Sequence, residues 1–209
     1  MTKLRVPDEA ERESLGAFAA RLVRLDDQSV VRLRERGNGV VDAWAKTPFE
    51  VLATRSVTGE VEPGDLTVSG NELLAALAVA GGELMNPGKP QDLMWRSELP
   101  PTGGFEPVDD VPVRVVSEVT DRGLEVAREN LGPKGTPPAS LLDQQVLTVT
   151  GEERELTIPL RCLFALAGMG FTGPDDDHVR VSASDGWLRI DARYGAVLRQ
   201  RRARLPLVF

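Results

Sequence analysis

The sequence predicts an α+β fold: antiparallel β-hairpin sheets packed with three or four helices, arranged as two similar halves. Three observations carry this prediction. Short runs that alternate apolar with polar residues are separated by glycine turns, and other segments repeat apolar residues at helical spacing. Two stretches far apart in the chain also read alike. With 209 residues, 41% of them hydrophobic, the chain can bury a substantial core as one large domain or two small ones.

Pro7 and Asp8 open a helix over residues 8–24, with acidic residues in its first turn and Leu15, Phe18, Ala19 and Leu22 on one face. Val31 and Leu33 then alternate with Arg32, Arg34 and Arg36, and a Gly37-Asn38-Gly39 turn leads into a second strand. "FEVLATRSV" and "DLTV" read as further strands joined by "TGEVEPG". Ser69 caps a helix over "GNELLAALAVA", with Glu72 placed as the reciprocal capping residue. Residues 86–112 are proline-rich and aperiodic, so they read as an irregular crossing anchored by Trp95 and Phe105. "VRVV" reads as a short strand or the start of a helix, and "GPKGTPPAS" as a loop.

A hairpin follows, turned at Gly151-Glu152. Then come a nearly all-apolar helix in "LRCLFALAGMGF" and three strands with turns at Asp185-Gly186 and Tyr194-Gly195. The expected organisation is an N-terminal αβ half (1–85), a proline-rich connection with a short helix (86–140) and a C-terminal αβ half (141–209). The halves are similar in two registers. One sets "VRLRERGNGVVDAWAKTPFEVLATR" beside "VRVSASDGWLRIDARYGAVLRQR", with helix 15–22 against 160–167. The other sets residues 51–78 beside 146–167. One duplicated and permuted αβ unit would give both registers, and so would a chance likeness between hairpins with glycine turns followed by Leu/Ala helices.

The chemistry is bounded mostly by what is scarce. One cysteine, Cys162, excludes an intramolecular disulfide, and one histidine, His178, leaves few catalytic triads or metal sites to build. No G-x-S-x-G or P-loop occurs, and "GMGFTG" follows a helix rather than a strand, which argues against a dinucleotide fingerprint. "GPDDDH" gathers Asp175, Asp177 and His178, an acid-base cluster that reads more simply as a charged loop. Neither a signal peptide nor an apolar span is visible, so a cytoplasmic protein is expected.

The formal net charge is −7, yet six arginines fall in residues 186–209. Such a row can hold phosphates, since each guanidinium offers a bidentate fork, or it can be a solvated or protein-facing sheet surface. An aromatic content of 5% leaves few platforms for stacking bases. The expected function is therefore a non-catalytic interaction protein, an adaptor or regulatory subunit, binding another protein or a second copy of itself. Its expected partner-binding residues are Trp95, Arg96, Phe105 and outward arginines Arg189, Arg193, Arg199 and Arg201. No catalytic residue, metal or cofactor is assigned. The alternatives are nucleic-acid binding by the C-terminal arginine face and a ligand pocket or enzyme site between the halves.

"WRSELPPTGGFEPVDDVP", "LLDQQVLTV" and "WLRIDARYGAVLRQRR" resemble a conserved actinobacterial protein family of unknown function. The resemblance covers most of the chain. It implies a bacterial source and brings no site residue.

Overall fold

The computed structural model describes residues 2–130, 137–151 and 154–201. In chain order its elements begin with β1 (Lys3–Arg5), α1 (Glu9–Leu25), β2 (Val30–Gly37), β3 (Val40–Lys46) and β4 (Leu52–Thr58). Next come β5 (Glu60–Glu62), β6 (Asp65–Ser69), α2 (Gly70–Val79) and β7 (Leu84–Met85). After the proline-rich crossing follow β8 (Glu106–Pro112), α3 (Val113–Glu129), α4 (Ala139–Leu142), β9 (Gln145–Thr150) and β10 (Glu155–Pro159). The chain continues through α5 (Leu160–Gly168), β11 (His178–Ala183), β12 (Trp187–Ala192) and β13 (Gly195–Gln200). The fold is thus a mixture of helices and antiparallel sheet, with five α-helices among the described residues rather than three or four. The extra one is the single turn α4, too short to leave a periodic signal.

An eight-stranded antiparallel sheet runs β6-β2-β3-β4-β13-β12-β11-β8. Its centre is the β4–β13 junction, where Thr54, Ala53 and Leu52 pair with Ala196, Val197 and Leu198. Each side holds a helix followed by three consecutive strands, α1-β2-β3-β4 and α5-β11-β12-β13, and an outer strand that leads into a helix, β6 into α2 after the three strands and β8 into α3 before them. The first of the two sequence registers sets strands in equal sheet positions beside each other, β2-β3-β4 against β11-β12-β13. The second does not, because β9 and β10 form a two-stranded sheet of their own.

One face of the large sheet carries Val31, Leu33, Val41, Ala43, Ala53, Val181, Ile190 and Val197, and these join Leu15, Phe18 and Leu22 of α1 and Leu163 and Leu166 of α5 in one core. Period-two alternation in the strands and 3.6-residue spacing in the helices bring these side chains together. At the foot of α5, Gly170 lies at φ 55°, and Arg21 of α1 donates to the carbonyls of Met169 and Gly170, satisfying groups the helix end leaves open. No described helix is long and apolar enough to cross a membrane.

Several local expectations are corrected. Ser69 precedes α2 without a side-chain cap, and Glu72 instead accepts from the N–H of Lys89 at 2.7 Å, tying the helix to the crossing. β1 was too short to read. "EPVDDVP" is an edge strand despite its prolines, and "VRVV" is the start of α3. Glu152 of the expected Gly151-Glu152 turn, residues 132–136 of "GPKGTPPAS", and Arg202 and Arg204 lie outside the described residues.

Gly195 fixes a close approach: a Cβ there would lie 2.6 Å from the Phe171 ring, which stacks on Phe18. Gly195→Val should therefore destabilise the chain by about 1–3 kcal/mol through overpacking, read as a lower urea midpoint at unchanged m-value.

Candidate protein-interaction surface

The sheet face turned away from the helices has two textures. Its flanks are arginine–aspartate pairs. Arg32 grips Asp65 with two bonds of 2.7 and 2.6 Å, Arg36 reaches Asp42 at 2.7 Å, Arg180 makes two 2.8 Å bonds to Asp110, and Arg189 holds Asp191 at 2.6 Å. Cross-strand register explains the pairing, since Arg34 sits opposite Asp42 and Asp65, and Arg180 opposite Asp110 and Asp191. The centre is apolar: Trp44, Leu52, Trp187, Ala196 and Leu198 form a cluster.

The proline-rich crossing straps this apolar centre. Trp95, Leu99 and Phe105 pack half-buried against it, and Arg32 and Arg189 stand 5.7 Å from the Trp95 and Phe105 ring centroids. The strap is fastened to the edge of β6, where the Gln91 N–H donates to the Thr67 carbonyl and the Asp92 carboxylate accepts from the Thr67 N–H, both at 2.7 Å. Between fastening and anchor, one tight turn presents Leu93 and Met94 at 92% and 56% exposure, with exposed Arg96 beside them. That turn is held by backbone bonds from Met94 to Gln91 and from Trp95 to Asp92.

The expected site residues therefore separate. Trp95 and Phe105 face the sheet rather than solvent, because the cluster beneath them needs covering. Arg96 is exposed. Arg189 is bound to Asp191, and Arg193 lies in the β12–β13 turn, 3.2 Å from Asp177. Arg199 is not on the outward face at all. Alternation places it on the helix side with Val197, opposite Leu188, where it donates to Asp143 at 2.9 Å. Arg201 is exposed, its guanidinium 3.2 Å from the Ser184 carbonyl. Exposed Leu93 and Met94 sit beside the chosen Trp95, and no periodicity in the sequence marks them as exposed.

Arg199 belongs to a charge cluster with Arg161, only 5% exposed, whose guanidinium reaches Asp143 at 2.8 Å, the Phe49 carbonyl at 2.8 Å and Glu50 at 3.4 Å. Burial pushes the Asp143 carboxyl upward, but bonds and charge from Arg199 and Arg161 outweigh it and leave its pKa below the usual value. Asp177, too, lies low, through the His178 backbone N–H first and Arg193 second. Cys162 is fully buried, and burial raises its thiol pKa to about 12.

Residues 1–97 match a family described as Domain of unknown function (DUF8010), and residues 100–204 match Domain of unknown function (DUF8185). The chain belongs to the DUF8185 family. No curated protein matches it. Among solved structures it resembles the DNA polymerase sliding clamp from Caulobacter crescentus, at 13% identity and TM-score 0.57 over 99% of this chain and 67% of that one. The sliding clamp from Bacillus subtilis gives 10% and 0.59 over 98% and 66%, and the DNA polymerase III subunit beta from Pseudomonas aeruginosa 12% and 0.55 over 99% and 66%. Such identities show a shared fold alone. This member of the DUF8185 family spans about two thirds of each clamp chain.

Arg161→Leu should cost about 3–5 kcal/mol, because it strips a buried clasp and leaves polar groups unpaired, whereas exposed Arg96→Ala should stay within about 0.5 kcal/mol. Asp143 has a folded pKa below its unfolded value of about 3.9, so its stabilisation is present above that value and lost as pH falls through the folded pKa. Thermal stability should accordingly decline below about pH 4–5, and less steeply in Arg161→Leu, when melting is followed across pH.

Proposed function

We propose that the chain is a non-catalytic, cytoplasmic interaction scaffold of the clamp fold, built from two copies of one α-β-β-β unit, that binds a protein partner through its strap. The observation that carries this reading is the turn at Leu93 and Met94: two large apolar side chains at 92% and 56% exposure, held by hydrogen bonds to a sheet edge and flanked by exposed Arg96. An apolar pair presented rigidly loses little conformational freedom on docking, and an arginine beside it is typical of interface anchors. Trp95 and Phe105 support the strap from beneath rather than meeting the partner.

Nucleic acid fits the arginines less well. Arg32, Arg36, Arg180, Arg189, Arg193 and Arg199 each bond an aspartate of this chain, so phosphates would have to displace partners already in place. The net charge of −7 opposes the same approach.

The test is purification of tagged chain from its host at low salt, with and without nuclease, beside the double variant Leu93→Asp, Met94→Asp. The expected result is a protein partner retained after nuclease and lost from the double variant, with the thermal midpoint of the double variant unchanged. Retention by the variant would remove the strap from the interface, and loss of all co-purifying protein on nuclease treatment would favour nucleic acid.

A further inference from the structure

The β9–β10 hairpin leaves one strand edge open. Gly151 donates to the Arg154 carbonyl at 2.8 Å, so the bonded pairs recur at Val149–Leu156 and Leu147–Ile158. The N–H and C=O groups of Glu155 and Thr157 therefore point away from β9. Among the described residues they enter no ladder and no other backbone bond. Both residues line a cleft of about 740 Å³, whose other lining residues include Leu188, Arg199 and Arg201. The edges of the large sheet are protected differently: β6 is covered by Gln91 and Asp92, and β8 carries Pro107 and Pro112 with exposed Asp109 and Asp110.

We propose that this cleft takes an extended peptide segment of a partner protein as a third strand on β10, with one acidic side chain of the peptide against Arg199 and Arg201. Strand addition supplies main-chain bonds to the unpaired groups of Glu155 and Thr157, while apolar peptide side chains meet Leu156 and Leu188. The charge match is local. Arg199 is paired with Asp143, whereas Arg201 contacts only a carbonyl and has no carboxylate partner among the described residues, so it is the guanidinium of the cleft left to meet a peptide carboxylate. Glu155 and Asp185 also line the cleft, which selects a single carboxylate rather than an acidic run. This surface is separate from the strap, and the inference extends the interaction reading to a second contact.

The probe is a random peptide display library panned on the full chain, its enriched sequences then made as labelled synthetic peptides and titrated by fluorescence polarisation. Enriched peptides should carry Asp or Glu at one fixed position and lose binding when alternate backbone amides are N-methylated. Arg201→Glu should weaken them by about tenfold or more. Thr157→Pro should abolish binding, since it blocks the open edge at a position whose N–H does not pair with β9. Arg201→Glu, on an exposed side chain, keeps the test decisive if Thr157→Pro disturbs the hairpin. The strap double variant should bind these peptides normally, which separates this site from the first. Peptides lacking the acid, or indifferent to N-methylation and to Arg201→Glu, would overturn the proposal. So would binding that appears only after removal of residues 202–209, which would make the chain's own segment the occupant, or a dimer abolished by Thr157→Pro, which would make it a second copy.

Discussion

The junction of β4 with β13 is the constraint on which the molecule depends. Three registered residue pairs make one sheet out of two four-stranded blocks, and every outward residue on β3, β4, β12 and β13 takes its place from that register. A slip of one residue in β4 would turn Leu52 toward the helices and Ala53 toward the strap. Two arginines reinforce the junction from opposite sides. Arg21 of α1 reaches the carbonyls that end α5, and Arg161 of α5 reaches the Phe49 carbonyl just before β4. Each crosses from one block to the other, and each satisfies backbone groups that no strand or helix can.

From this junction follows the division of the two faces. The helix side is a continuous hydrocarbon core. The opposite side could not be left bare at its centre, because Trp44, Trp187, Leu52 and Leu198 would form an exposed apolar patch. The strap covers them with Trp95, Leu99 and Phe105, and in doing so protects the β6 edge and carries Leu93 and Met94 into solvent. An irregular segment of this length thus has a structural task and presents two exposed apolar side chains at the same time.

Most of the hairpins were legible because glycine turns and period-two alternation are local signals: Gly37-Asn38-Gly39, Asp185-Gly186 and Tyr194-Gly195 all sit between paired strands. α1 was legible for the same reason, with the Asp8 carboxylate accepting from the Glu11 N–H at 2.9 Å. The pairing of β4 with β13 was not, since nothing local links residues about 140 positions apart. That long-range fact also decided the site. Arg189 and Arg199 look equivalent in the sequence, but the parity of two different strands sends them to opposite faces. Asp143, which binds Arg199, lies in a segment with no motif.

Arginines that read in sequence as a polyanion surface are bonded to aspartates on the same or adjacent strands, and α1 interleaves signs, with Glu9, Glu11 and Glu13 against Arg12, Arg21 and Arg24. The direct test is titration of labelled duplex DNA with the chain across a salt series from about 50 to about 200 mM. No saturable binding is expected even at the lowest salt. Saturable binding that weakens by about 10³-fold or more across the series would contradict it, because that slope requires six or more arginines free to meet phosphates.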